Sequence, residues 1–148
     1  MSTATYPGMS EISVYLHYED VGFALEWLAR TFGFRESLRV PIPNGTVVHA
    51  EVKSGDAVLM MGWPGPDYRD PGLEHSESLG VVVYVPDVDA HYAVAAREGA
   101  VIESELTDQV YGDRTYRARD YAGHQWTFAT HVRTADPSTW GAIVTTAD

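Results

Sequence analysis

The chain has 148 residues, 45% of them hydrophobic and 11% aromatic, which suits one compact domain with a real core and is too short for two independent ones. Ten basic residues against twenty-one acidic ones give a formal charge of −11, which repels phosphate backbones and anionic membranes and argues against nucleic-acid partners. The absence of cysteine excludes disulfides, thiolate catalysis and sulfur-ligated zinc or iron–sulfur centres, leaving only nitrogen and oxygen donors for a metal.

The opening MSTATYPGMSEIS shows neither a basic n-region nor an apolar h-region, and no run approaches a bilayer span, so a soluble cytoplasmic protein is expected. Residues 12–18, ISVYLHY, read as a strand, and Asp20 is placed to cap a helix. From Val21 the run VGFALEWLARTFGF sets Ala24, Trp27, Leu28 and Phe32 on one helical face, with Gly33 as a stop. Strands follow at SLRV from Ser37, TVVHAEV from Thr46 and AVLMMGW from Ala57; PIPNG from Pro41 and KSGD from Lys53 supply the turns. Residues 64–78, PGPDYRDPGLEHSES, are dense in proline, glycine and charge and read as a linker.

The pattern then begins again. LGVVVYV from Leu79 is a strand and Asp87 a cap; Val88, Tyr92, Ala95 and Ala96 share a helical face, and Gly99 ends the helix. AVIESEL from Ala100, TYRARD from Thr115 and QWTFAT from Gln125 supply three more strands around turns at 111–113 and 122–123. The two halves repeat at an offset of about 67 residues, Asp20 matching Asp87, in one β-α-β-β-β order. Module one therefore spans about 10–63 and module two about 79–131; a tail over 132–148 carries Pro137 at a helix-start position and Trp140 as an anchor.

A doubled βαβββ unit with DVGFALEWLARTFGF from Asp20 and YGDRTYRARDYAGHQWTFATH from Tyr111 resembles the vicinal oxygen chelate superfamily of glyoxalase I, extradiol dioxygenases, fosfomycin-resistance enzymes and bleomycin-resistance proteins. The resemblance covers roughly residues 10–131. Gly112-Asp113-Arg114, Arg119-Asp120 and the closing GHQWTFATH from Gly123 look most like the glyoxalase/bleomycin-resistance branch. What it implies is an α+β fold: two tandem βαβββ modules forming a curled mixed sheet around a cleft, helices outside, commonly in a homodimer.

In the metalloenzymes of such a family the ligands come from the first and last strands of each module. Those positions fall here on Ser13, Met60, Gly80 and Thr127, which offer hydroxyl, thioether or nothing where a divalent ion needs imidazole or carboxylate. His124 and His131 lie about 23 Å apart along an extended strand and cannot share one ion; His124 is expected to bond local backbone and His131 to end the strand. No metal, no cofactor and no catalytic residue is therefore assigned.

By strand alternation Tyr15, His17, Met60, Val82, Tyr84, Gln125 and Thr127 should face the cleft, while Trp126 and Phe128 pack under a helix. Trp63, Tyr68 and Tyr111 lie in loops near its mouth, where flat rings with a polar handle suit amphipathic ligands. The expected ligand-binding set is Tyr15, His17, Met60, Trp63, Tyr68, Tyr84, Tyr111, Gln125 and Thr127. His49, His75 and His91 are read as solvated, His49 on an edge-like strand, and Arg119 with Asp120 as an ion pair holding a turn. The expected function is a metal-free small-molecule binder that sequesters a cationic or planar aromatic antibiotic. The competing readings are a metal-dependent lyase, isomerase or dioxygenase recruiting His17 and Glu51, and a metabolite-binding module.

Overall fold

The computed structural model describes residues 12–74 and 78–145. The first module runs β1 (Tyr15–His17), α1 (Val21–Phe32), β2 (Arg35–Pro41), β3 (Val47–Ser54) and β4 (Ala57–Gly62). The second repeats it as β5 (Gly80–Tyr84), α2 (Val88–Arg97), β6 (Val101–Asp108), β7 (Asp113–Arg119) and β8 (Gln125–His131). A 3-10 turn at Pro137–Trp140 follows.

Each helix starts where a carboxylate satisfies a free backbone amide: Asp20 accepts from Phe23 N and Asp87 from Ala90 N. Gly33 ends α1 in the left-handed conformation. In both sheets the first strand of the module pairs in parallel with the last, giving orders β1-β4-β3-β2 and β5-β8-β7-β6. The fold is α+β, with two four-stranded mixed sheets, one from each module. No ladder joins β1 to β5 among the described residues, yet both strands line one cavity, and a second lies between β5 and the residues just before β1.

The helices pack on one face of the sheets, and one core serves both modules. Phe32 at the end of α1 meets Trp126 and Phe128 of β8 and lies 6.1 Å, ring to ring, from His91 of α2. Leu28, Phe32, Phe34, Tyr116, Trp126 and Phe128 are all buried. Each side chain of this size stabilises the fold by roughly 1.5–3 kcal/mol relative to exposure. Val88, His91, Tyr92 and Ala95 turn one side of α2 inward, whereas Ala96, expected on that face, is exposed.

Candidate functional site

The face opposite the helices stays open. Leu16, Val81 and Val83 are buried, while their neighbours Tyr15, His17, Gly80, Val82 and Tyr84 are exposed, as alternation requires when only one face of a strand meets the core. On the first sheet this face carries two rows of opposed residues, Tyr15–Met60–Glu51 and His17–Gly62–His49.

Tyr15 crosses between the rows. A Cβ on Gly62 would fall inside the van der Waals radius of the Tyr15 hydroxyl, so the bare glycine lets the ring lie across β4 and reach β3. There the hydroxyl meets His49 Nδ1 at 3.0 Å, and His49 Nε2 meets Glu51 Oε2 at 3.1 Å. Glu51 is 1% exposed, and its other oxygen has no hydrogen-bond donor among the described residues. Burial, and then the charge of Glu51, holds the Tyr15 hydroxyl above the ordinary phenol value, so it keeps its proton. Sequence reading missed His49: β3 is an interior strand between β2 and β4, so the residue is neither at an edge nor simply solvated.

At the end of β1 the carbonyl of His17 accepts from Tyr68 Oη at 2.9 Å and from His124 Nε2 at 2.8 Å. The linker and the second module thus clasp the strand that carries Tyr15 and His17. The rings of Tyr15 and His17, and of His17 and Tyr68, meet edge-on with centroids 5.6 and 5.7 Å apart. Tyr15, His17, Tyr68, Arg69, His124 and Gln125 are among the residues around a cavity of about 420 Å³. His124 is expected to bond local backbone; its imidazole instead reaches a carbonyl in the other module, because Asp120 at the start of its turn is bonded to Tyr18, just past β1.

The remaining expected residues are dispersed. Tyr84 lines a second cavity with Ile12 and Val14, and donates to Asp113 at 2.5 Å. His131 holds the other Asp113 oxygen at 2.8 Å. Burial raises Asp113, but those two hydrogen bonds outweigh it and keep the carboxyl below its usual range. Met60 and Thr127 lie half-buried opposite Tyr15 and Val82. Trp63 packs partly buried against the core, and Tyr111 faces Trp140 at 5.8 Å.

Two further expectations change, the Arg119–Asp120 ion pair and the solvated His91. Arg119 pairs with Glu103 at 2.8 Å. Asp120, wholly buried, accepts from Tyr18 Oη, Trp126 Nε1 and the amides of Ala122, Gly123 and His124. His91, expected in solvent, donates Nε2–H to the Phe32 carbonyl at 2.8 Å and meets Tyr116 Oη at 2.6 Å through Nδ1. His75 lies outside the described residues.

Ser13, Met60, Gly80 and Thr127, the positions the family's metal ligands would occupy, supply no imidazole or carboxylate. Among the described residues no three His, Asp or Glu side chains converge into a set that could hold an ion. Glu51 is turned to His49 and lies in the neighbouring row from His17. Among the described residues the donors at these positions do not fit a divalent metal.

Two βαβββ modules presenting open, aromatic-bearing sheet faces define the structural class. The chain belongs to the Glyoxalase/Bleomycin resistance protein/Dioxygenase superfamily, whose pattern matches residues 13–128. An uncharacterized protein of Mycobacterium tuberculosis (strain ATCC 25618 / H37Rv) is 30% identical over 127 residues, covering 82% of this chain and 75% of that protein. The crystal structure of TioX from Micromonospora sp. ML1 is 37% identical, covers 84% of this chain and 100% of its own, and superposes with a TM-score of 0.69. A glyoxalase/bleomycin resistance protein/dioxygenase from Nocardioides shares the fold at 16% identity and a TM-score of 0.61, covering 91% of this chain and 90% of its own.

Proposed function

We propose that this chain is a metal-free binding protein of the bleomycin-resistance type. It sequesters a cationic or planar aromatic antibiotic on its open sheet face, as a homodimer in the cytoplasm. The observation that carries the reading is the cavity of about 420 Å³ walled by Tyr15, His17 and Tyr68, with His124 and Gln125 as polar groups at its edge. Rings packed edge to face, with Tyr68 tied to the His17 carbonyl and Tyr15 to the His49 side chain, form a pre-organised aromatic wall for a flat ligand, each good ring pair adding about 0.5–1.5 kcal/mol beyond area burial. Sequestration needs affinity and no reaction, and the four ligand positions lack the donors that metal-assisted chemistry would require. The net charge of −11 favours the approach of cations.

Titration of the purified protein with bleomycin-like glycopeptides and planar aromatic antibiotics, followed by tryptophan fluorescence, is expected to give a saturable response with at least one class. No saturation with any of them would overturn the reading. A stoichiometric divalent ion in elemental analysis of untagged protein would overturn its metal-free part.

A further inference from the structure

We propose that Tyr15, His49 and Glu51 form a subsite for the protonated amine of a flat organic cation, with the Tyr15 oxygen accepting its N–H. This rests on the ligand-binding reading above and names the chemical group that one corner of the site takes.

The proton inventory sets the polarity. Glu51 as a carboxylate accepts the Nε2–H of His49, which leaves Nδ1 as the acceptor for the O–H of Tyr15. The phenolic proton is then committed inward, which leaves the oxygen lone pairs to accept from a ligand on a residue that is 45% exposed. The carboxylate behind this chain is nearly inaccessible, and one of its oxygens has no donor among the described residues, so within them its charge is incompletely offset by hydrogen bonds. In such surroundings a charge acts at longer range than it would in water. The rings of Tyr15 and His49, with centroids 5.6 Å apart, add an electron-rich surface beside the acceptor.

The reverse polarity is chemically available. A doubly protonated His49 would make Tyr15 a donor and favour an anion, and Arg69 in the wall of the cavity that Tyr15 lines would help. Arg69, however, has Nη1 engaged by the carbonyls of Pro66 and Tyr68, both at 2.8 Å.

Three probes share one flat ring system: naphthylmethylammonium, naphthylmethanol and naphthoate. Each is titrated calorimetrically into the full-length wild-type protein, E51Q and Y15F at about pH 8, where an alkylammonium keeps its charge. The ammonium is expected to bind wild type at least about tenfold tighter than the alcohol. In E51Q and Y15F the preference for the ammonium over the alcohol should shrink from about tenfold to less than about twofold. E51Q removes one of eleven net negative charges, so a global steering effect would survive it. Y15F alters a partly exposed hydroxyl and carries the test alone if E51Q fails to fold. Equal binding of ammonium and alcohol, a preference for the carboxylate, or a preference that survives either substitution overturns the subsite while the aromatic site stands. No binding of any probe overturns the ligand-binding reading and the subsite with it.

Discussion

Asp120 places both carboxylate oxygens under five donors that have left water. Three are backbone amides at 3.0 Å, and two are the polar tips of Tyr18 and Trp126. Burial, and then the Asp120 charge, pushes the Tyr18 hydroxyl well above the ordinary phenol value, so that bond keeps its proton on tyrosine. Asparagine would turn an NH₂ group toward donors, and D120N is expected to lose about 2–4 kcal/mol in urea unfolding, with the fold retained. At His91 burial is the main cause and depresses the imidazole from 6.5, so the unfolded chain binds the proton more readily. Stability from this group is therefore present above about pH 6.5 and is lost as pH falls through the depressed folded value. Urea midpoints measured from pH 8 downward should decline through that window in wild type and more shallowly in H91Q, which cannot titrate. Both residues were visible as residues in the sequence. Their roles were not, because Asp120 is satisfied by Tyr18, 102 positions away, and His91 by Phe32, 59 positions away.

Helices and caps were the most legible elements. Asp20, Val21–Phe32 and Gly33 fall where a capping carboxylate, a period of about 3.6 and a terminal glycine put them. The helix at Val88–Arg97 was found, but its face was read as Val88, Tyr92, Ala95 and Ala96. The inward face instead follows the spacing Val88, His91, Tyr92, Ala95, with a polar histidine inside it. The first strand is three residues long where seven were expected, and its position depends on contacts from outside. The linker reaches it through Tyr68 and through Asp70, which accepts from Glu19 N at 2.9 Å while its own amide donates to the Glu19 carboxylate at 2.8 Å. The linker is itself tied down where Gly72 N donates to Ala122 O at 2.8 Å beside Gly123. Gly123 has φ of 105°, and a Cβ there would run into the Gly72 backbone. G123A should cost about 2 kcal/mol or more and speed amide exchange at Gly72 specifically; unchanged exchange would show that the linker is held elsewhere.

For the molecule as a whole, the open sheet faces are the main feature left unburied. Leu79, Val82 and Tyr84 are 57%, 60% and 61% exposed, an apolar run that single folded chains usually cover. The proposed homodimer would bury such a surface, and sedimentation equilibrium at micromolar concentration should return twice the 16.3 kDa chain mass. A monomer throughout would remove the dimer from the functional proposal without touching the site. No helix among the described residues is long and apolar enough to cross a membrane.

Composition, periodicity and capping determined the repeat, the order of elements and the face on which Tyr15, His17, Tyr84 and Gln125 stand. Each of these is written within one helical turn or one strand pleat, where side-chain spacing and backbone preference act directly. Only the tertiary structure decided that β4 lies between β1 and β3 and that Gly62 leaves room for a phenol to cross it. It alone decided that a buried Glu51 stands behind that phenol. Strand neighbours are chosen by the closure of long chain segments around a shared core, and no local preference in the sequence encodes that choice.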